Sequence, residues 1–259
     1  MATLRAGGCS DRGPVRRTNE DALFKDESLG LLIVADGMGG HAAGEVASRT
    51  AADEIEQFIE ETREWHAAAD WPFPYDGSQP VNGNRLRMAF HLANQRLARA
   101  AASDGSLRGM ATTASAVLAG QASLVIGHVG DSRVYLWRDA ALRQLTVDHS
   151  WVGERVRAGI MSESDARQHP WRNVVTRALS GGSDPEVDTV ELTPAKGERL
   201  LLCSDGLSGV VPHETIGRIL GQQESLEIIC ERLIAAANEG GGPDNITVLV
   251  LEIADPDAP

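Results

Sequence analysis

The chain has 259 residues, 42% of them hydrophobic, enough to bury a sizeable core without staples. Its formal net charge is −13 and its pI about 5.0. That balance argues against nucleic acid or a membrane as partner, because phosphate backbones and anionic headgroups call for a basic surface. Three cysteines (Cys9, Cys203 and Cys230) lie far apart, without a CxxC pair. Neither disulfides nor a thiolate zinc site is expected, and with no leader-like opening the chain reads as cytoplasmic.

The first third opens with short strand-like pieces and reaches a continuous apolar run, residues 31–35, that ends at Asp36-Gly37. After a glycine-rich turn, Val46, Ala47, Thr50, Ala51, Ile55, Phe58 and Ile59 recur at steps of three and four, which predicts an amphipathic helix. Leu86, Ala89, Phe90, Ala93, Leu97 and Ala100 predict a second helix that stops near Gly105. Between them, residues 65–84 are rich in Pro, Gly and aromatics, among them Trp65, Trp71, Phe73 and Tyr75. This insertion reads either as an aromatic cover over the helix pair or as a docking surface.

Strands follow at 111–119, 123–129, 133–138 and 141–146, with turns short enough for antiparallel hairpins. The uncharged run from Met110 to Gly130 is long enough to raise a membrane span. However, Thr112, Thr113, Ser115 and His128, with the break at Gly120-Gln121, favour two buried strands and a turn. A polar stretch at 147–182 contains short helical pieces. Strands at 187–192 and 199–203, a helical pair at about 212–221 and 224–238, and a last strand at 246–253 complete the chain. Paired helices and hairpins, with no repeat or linker, predict an α+β fold in a single domain, residues 1–259.

Acids recur at strand ends. The runs before Asp36-Gly37, Asp131 and Asp205-Gly206 are apolar, and Asp244 stands just before the final strand. A carboxylate followed by glycine is also ordinary turn chemistry, so each pair alone is weak evidence. If the four meet at one sheet edge, they cannot all stay ionised without compensation. Hard divalent cations supply it, since Mg²⁺ and Mn²⁺ favour oxygen ligands. Asp36, Asp205 and Asp244 alone would repel a phosphate. Two divalent ions and Arg16 would turn the site positive, which makes metal a condition of substrate binding as well as of chemistry.

Five blocks carry a family likeness. They are Ser10-Asp11-Arg12-Gly13-Pro14-Val15-Arg16-Arg17-Thr18-Asn19-Glu20-Asp21, Ala35-Asp36-Gly37-Met38-Gly39-Gly40-His41, Gly130-Asp131-Ser132-Arg133, Ser204-Asp205-Gly206-Leu207 and Gly242-Pro243-Asp244-Asn245-Ile246-Thr247. In that order the chain resembles the type 2C, metal-dependent protein Ser/Thr phosphatases (the PPM family) in their compact bacterial form.

The resemblance implies a four-layer αββα sandwich, two antiparallel sheets with a helix pair outside each. It implies hydrolysis of phosphoserine and phosphothreonine by in-line attack of a metal-bridging hydroxide, in opposition to a protein kinase. Two Mn²⁺ or Mg²⁺ ions would be held by Asp36 as a bridge, the Gly37 carbonyl, Asp205, Asp244 and Glu20, with Asp21 and Asn245 orienting these groups. Arg16 would hold the phosphate. Asp131 with Asp205 would take a third ion, weaker here because Gly209 stands where related chains often carry an acid. Animal relatives place a proton-donating His directly after the Asp-Gly pair. Met38 occupies that place here, leaving His41 either as the general acid or as a loop-shaping residue.

The stretch 147–182 corresponds to a flap beside the site, and His149 and His169 read as structural or surface residues. The expected partners are phosphoproteins and a Ser/Thr kinase or its targets. Two alternatives remain: a small-molecule phosphoesterase, and a catalytically silent regulatory binding module. A calcium-binding structural protein would need EF-hand loops, which the sequence lacks.

Overall fold

A computed structural model of the chain describes residues 3–39, 43–65, 71–120 and 122–254. In chain order it contains β1 (Thr3–Asp11), β2 (Asp21–Asp26), β3 (Leu31–Met38), α1 (Ala43–Glu61) and α2 (Val81–Ser103). Next come β4 (Ala111–Thr112), β5 (Ala114–Ala119), β6 (Leu124–Val129), β7 (Arg133–Arg138) and β8 (Ala141–Gln144). Two short helices, α3 (Trp151–Arg157) and α4 (Glu163–Gln168), precede β9 (Asp188–Leu192) and β10 (Arg199–Cys203). The chain closes with α5 (Asp205–Ser208), α6 (His213–Leu220), α7 (Leu226–Glu239) and β11 (Ile246–Ala254).

One sheet runs in the order β1-β11-β10-β7-β8 and the other β2-β3-β5-β6-β9, with β4 paired to β3. The ladders are antiparallel. The strands read as continuous apolar runs because both faces of each sheet are covered. In β3, Leu32 and Val34 face the other sheet, packing with Leu200, Leu202, Leu249 and Leu251. Leu31 and Ile33 face Ile55, Ile59, Leu86 and Phe90 of α1 and α2. On the far side, Leu201, Cys203 and Val250 pack with Ile216, Ile229 and Leu233 of α6 and α7. The predicted four-layer α+β sandwich is therefore the observed one.

Two differences have local causes. The expected strand 111–119 is interrupted at Thr113, whose N–H donates to the Asp36 carbonyl (2.9 Å) while its hydroxyl accepts from the Asp36 N–H (3.1 Å). Helix α2 begins at Val81, inside the predicted insertion. There Asn84 fixes the preceding turn, accepting from the Asp76 N–H (2.9 Å) and donating to the Asp76 carbonyl (3.0 Å). The insertion's aromatics cover α1: Phe58 meets Trp65, Trp71 and Phe73 at 6.1, 6.3 and 6.2 Å between ring centroids. That arrangement favours the cover reading; residues 66–70 lie outside the described residues. Among the described residues no helix is long and apolar enough to cross a membrane.

The β7–β8 hairpin turns on Asp139 and Ala140, at φ 51° and 59°. Both central residues of such a two-residue turn take positive φ, which suits glycine and penalises a Cβ. Ala140→Gly is therefore expected to stabilise the fold by about 0.5–1 kcal/mol. Thermal melts should show a rise of roughly 1–4 °C.

Candidate active site

The acids come together because four strand ends open at the same end of the sandwich. Asp36 lies near the end of β3 and is paired across the ladder with Asp21 of β2. Asp205 follows β10, Asp244 precedes β11, and Asp131 sits in the turn between β6 and β7. The glycines after Asp36 and Asp205 are required by proximity rather than by turn conformation. A Cβ on Gly37 would lie 2.0 Å from the Gly44 carbonyl oxygen, and one on Gly206 would lie 1.9 Å from that of Asn245. Gly44 is equally constrained, since a Cβ there would meet Glu20 Oε2 at 2.1 Å. Glycine thus lets helix α1 and the loop before β2 close on the strand end.

Crowding and loss of water shift Asp21, Asp36, Asp131, Asp205 and Glu20 upward. Asp36 is held well above the usual carboxylate range, first by desolvation and then by Asp21, Asp205, Asp131 and Asp244. Desolvation also raises Asp21 to about 7 and, with Asp205 and Asp148 nearby, Asp131 to about 8. Asp205 rises to about 6, through desolvation and Asp244, and shares a side-chain hydrogen bond with Asp36. Glu20 is raised too, by desolvation against the opposing pull of Arg16. A group of acids that repel one another and are partly protonated is a site short of positive charge.

The residues behind the acids are fixed by hydrogen bonds. Buried Asn245 accepts from the Glu20 N–H (2.8 Å) and donates to the carbonyls of Arg12 and Thr18 (2.9 Å each). It thereby fastens the 12–20 loop to the start of β11. Glu20 is further held where its carbonyl accepts from the Gly37 N–H (3.1 Å) and the Ser48 hydroxyl (2.6 Å). Ser204 donates to Asp21 Oδ2 at 2.8 Å, while Asp21 Oδ1 is buried without a partner. Exposed Arg16 reaches across to Asp244, Nη2 to Oδ2 at 2.6 Å.

On the other flank, Arg133 grips Asp148 with two nitrogens, Nε to Oδ1 at 2.9 Å and Nη2 to Oδ2 at 2.6 Å. Behind Asp131, the rings of His128 and His149 lie 4.9 Å apart, tilted by 35°, in the interior. His128 Nε2 donates to the Val147 carbonyl (3.1 Å), and its Nδ1 accepts from the Ser115 hydroxyl (2.9 Å). His149 Nδ1 accepts from the Gly130 N–H (3.1 Å), and its Nε2 donates to Asp188 (3.2 Å). The entrance of the 147–182 stretch is therefore tied to the loop that carries Asp131.

Asp36, Asp205, Asp244, Asp131, Asp21, Glu20, Gly37, Asn245 and Arg16 thus gather at one end of the sandwich, whereas His41 lies outside the described residues. No three acidic, His or Cys side chains among the described residues are drawn into a closed ligand shell. Asp244 is turned to Arg16, and Asp36 to Asp205. The donor set nonetheless fits hard divalent cations: all oxygen, in charge excess, with one buried carboxylate oxygen unpartnered. Sequence reasoning gave no site role to Thr113, Ser204, Ser48 or His128, and read His149 as structural or surface, which its buried place behind Asp131 bears out. The available signal was the polar Thr112, Thr113, Ser115 and His128 inside otherwise apolar strands.

An acid cluster at one end of a four-layer αββα sandwich defines a class, the metal-dependent phosphatases. The family model described as Protein phosphatase 2C matches residues 15–240. The serine/threonine phosphatase stp of Listeria monocytogenes is 39% identical over 249 residues, covering 94% of this chain and 93% of that protein. PstP of Mycobacterium tuberculosis is 40% identical over 254 residues, covering 98% of this chain and 46% of that longer protein. Among solved structures, the M. tuberculosis phosphatase PstP/Ppp superposes with a TM-score of 0.85 at 37% identity, covering 97% of this chain and 99% of that one. The PstP catalytic domain in complex with two manganese ions gives a TM-score of 0.84 at 36% identity, covering 98% and 100%. The chain belongs to the protein phosphatase 2C family. It is a bacterial-type protein Ser/Thr phosphatase with phosphoproteins as substrates, and the silent regulatory module finds no support.

Two measurements check this geometry. Removing one charge from the cluster should raise the melting temperature of metal-free Asp205→Asn above that of wild type. Mn²⁺ at about 100 times its dissociation constant should add about 2.7 kcal/mol to wild type, and much less to the variant. The second check uses His128, whose pKa burial lowers to about 4, so the folded state keeps it neutral. The unfolded chain takes up that proton from about pH 6.5 downward, so stability falls as pH drops from about 6.5 towards 4, by at most about 3 kcal/mol. Denaturant titrations should show that part of the acid-side slope missing from His128→Gln.

Proposed function

We propose that the protein is an Mn²⁺- or Mg²⁺-dependent phosphatase for phosphoserine and phosphothreonine, working in the cytoplasm against a Ser/Thr kinase. The observation that carries this reading is the convergence of five aspartates, four of which, Asp21, Asp36, Asp131 and Asp205, are raised in pKa by loss of water and by the neighbouring acids. Asp36, the Gly37 carbonyl, Asp205, Asp244 and Glu20 would together hold two such cations. Asp131 with Asp205 would offer a weaker third position, since Gly209 contributes no carboxylate. When bound, such cations supply a nucleophile from water at neutral pH and offset the charge that develops on the phosphoryl group.

The chain's own residues do the positioning. Arg16, exposed and reaching Asp244, can turn its planar fork to the phosphate oxygens and exchange one anion for another without leaving the loop. Asn245 keeps that loop on β11, so Arg16 and Glu20 face the strand-end acids from a fixed height. Asp21, held by Ser204, backs Asp36 across the β2–β3 ladder. The departing alkoxide takes its proton from His41 or from water in the site.

The manganese-dependent hydrolysis of a phosphothreonine peptide tests the reading. Asp36→Asn should lose at least about 100-fold in kcat/KM, the size expected from removing a few kcal/mol of transition-state stabilisation. Wild-type silence on several phosphopeptides with manganese would overturn it.

A further inference from the structure

A groove of about 730 Å³ opens directly off the acid cluster. It starts at Asp131 and Asp205 and runs between the short helices α3 and α4 on one side and β8, α5 and α6 on the other. That volume is in the range of sites that hold several side chains at once. Its apolar lining comes from Leu142, Val152, Val156 and Ile216. Its charge is the informative part. Asp148 in the groove is gripped by Arg133, and Glu163 pairs along α4 with Arg167. The lining cations that remain are Arg143, Arg157 and Arg172, all exposed and, among the described residues, without an ion-pair partner. Beyond the site itself, Glu214 is the remaining acid.

Three unpaired guanidinium groups beside an apolar trough stand out on a chain of net charge −13. Elsewhere on the surface some arginines are matched, Arg49 with Glu45, Arg87 with Asp76 and Arg232 with Glu224, and others such as Arg108 and Arg218 stand singly among the described residues; the groove instead lines up three along one trough. The groove is also mechanically coupled to the acids: its wall begins at Asp148, locked by Arg133, next to His149, whose ring accepts from Gly130. A chain entering with its phosphate at Asp36 and Asp205 would have to lay its neighbouring residues along this trough or out in solvent.

We propose that the groove between α3–α4 and α6 selects the substrate segment flanking the phosphorylated residue, taking an apolar side chain on its floor and aspartate or glutamate against Arg143, Arg157 and Arg172. The proposal rests on the phosphatase reading and adds to it a substrate preference, for phosphosites set among acidic residues. Each exposed arginine–carboxylate contact changes affinity by a factor of about 1.5–5. Two or three together support a preference of about tenfold, one that weakens as salt screens them.

The test compares kcat/KM on two phosphothreonine peptides that differ only in flanking aspartates or flanking lysines. Wild type, Arg157→Gln/Arg172→Gln and Arg157→Glu/Arg172→Glu are assayed with manganese, and p-nitrophenyl phosphate is included as a small substrate. These side chains are exposed, so circular dichroism and melting temperature should match wild type. The expected result is an acidic-over-basic ratio near ten in wild type, under three in the glutamine variant, below one in the glutamate variant, and reduced at high salt. A wild-type ratio near one, or a ratio unmoved by both variants, overturns the groove's role while leaving the phosphatase intact. Silence on p-nitrophenyl phosphate as well as both peptides would instead overturn the phosphatase reading, and this proposal with it.

Discussion

The rest of the structure is organised around an unfavourable interaction. Asp21, Asp36, Asp131, Asp205 and Asp244 are pressed together at one end of the sandwich against their own repulsion. Removing even one charge from water costs several kcal/mol unless it is compensated. The arrangement persists because the strands that deliver these acids are fixed by an apolar layer between the sheets, in which Leu32, Val34, Leu200, Leu202, Leu249 and Leu251 are buried. The acids cannot separate without pulling that layer apart. Hydrophobic burial, which has no direction, is here converted into a local concentration of negative charge that water alone would disperse.

A ring of neutral hydrogen bonds then sets the orientation. Thr113 clasps the Asp36 backbone from both sides, Ser204 ties Asp21 to the start of the neighbouring turn, and Asn245 gathers the loop that bears Arg16 and Glu20. None of these partners carries charge, so they fix geometry without altering the electrostatic excess that invites cations. Arg133, by contrast, is paired with Asp148, which ties down the polar stretch and leaves only a modest pull on Asp131 and Asp205, not enough to offset the cluster.

Much of this was legible in the sequence, for definite reasons. Strands buried on both faces leave continuous apolar runs, so β3, β5, β6, β10 and β11 stood out, and α1 and α2 followed from their spacing of three and four. The site acids were visible because they sit beside glycines whose missing Cβ permits the close approach now seen at Gly37 and Gly206. The less legible features depend on long-range pairing. Thr113 breaks a strand that looks continuous because its partner, Asp36, is remote in sequence. The joining of His128 to His149 depends on how the chain returns after β8, which no local pattern encodes. The three arginines of the groove lie on β8, on α3 and after α4, and only the fold makes them neighbours.

The place of β11 has a consequence for biosynthesis. It lies between β1 and β10, so β1 finds its sheet neighbour only in a strand far along the chain, and Asn245, just before β11, is what secures the 12–20 loop. During translation the amino-terminal acids would emerge long before the residues that immobilise them. The nascent polypeptide would therefore hold its 12–20 loop in place only once β11 clears the ribosome. A product interrupted before β11 would lack the contacts that hold Arg16 and Glu20 against the strand-end acids.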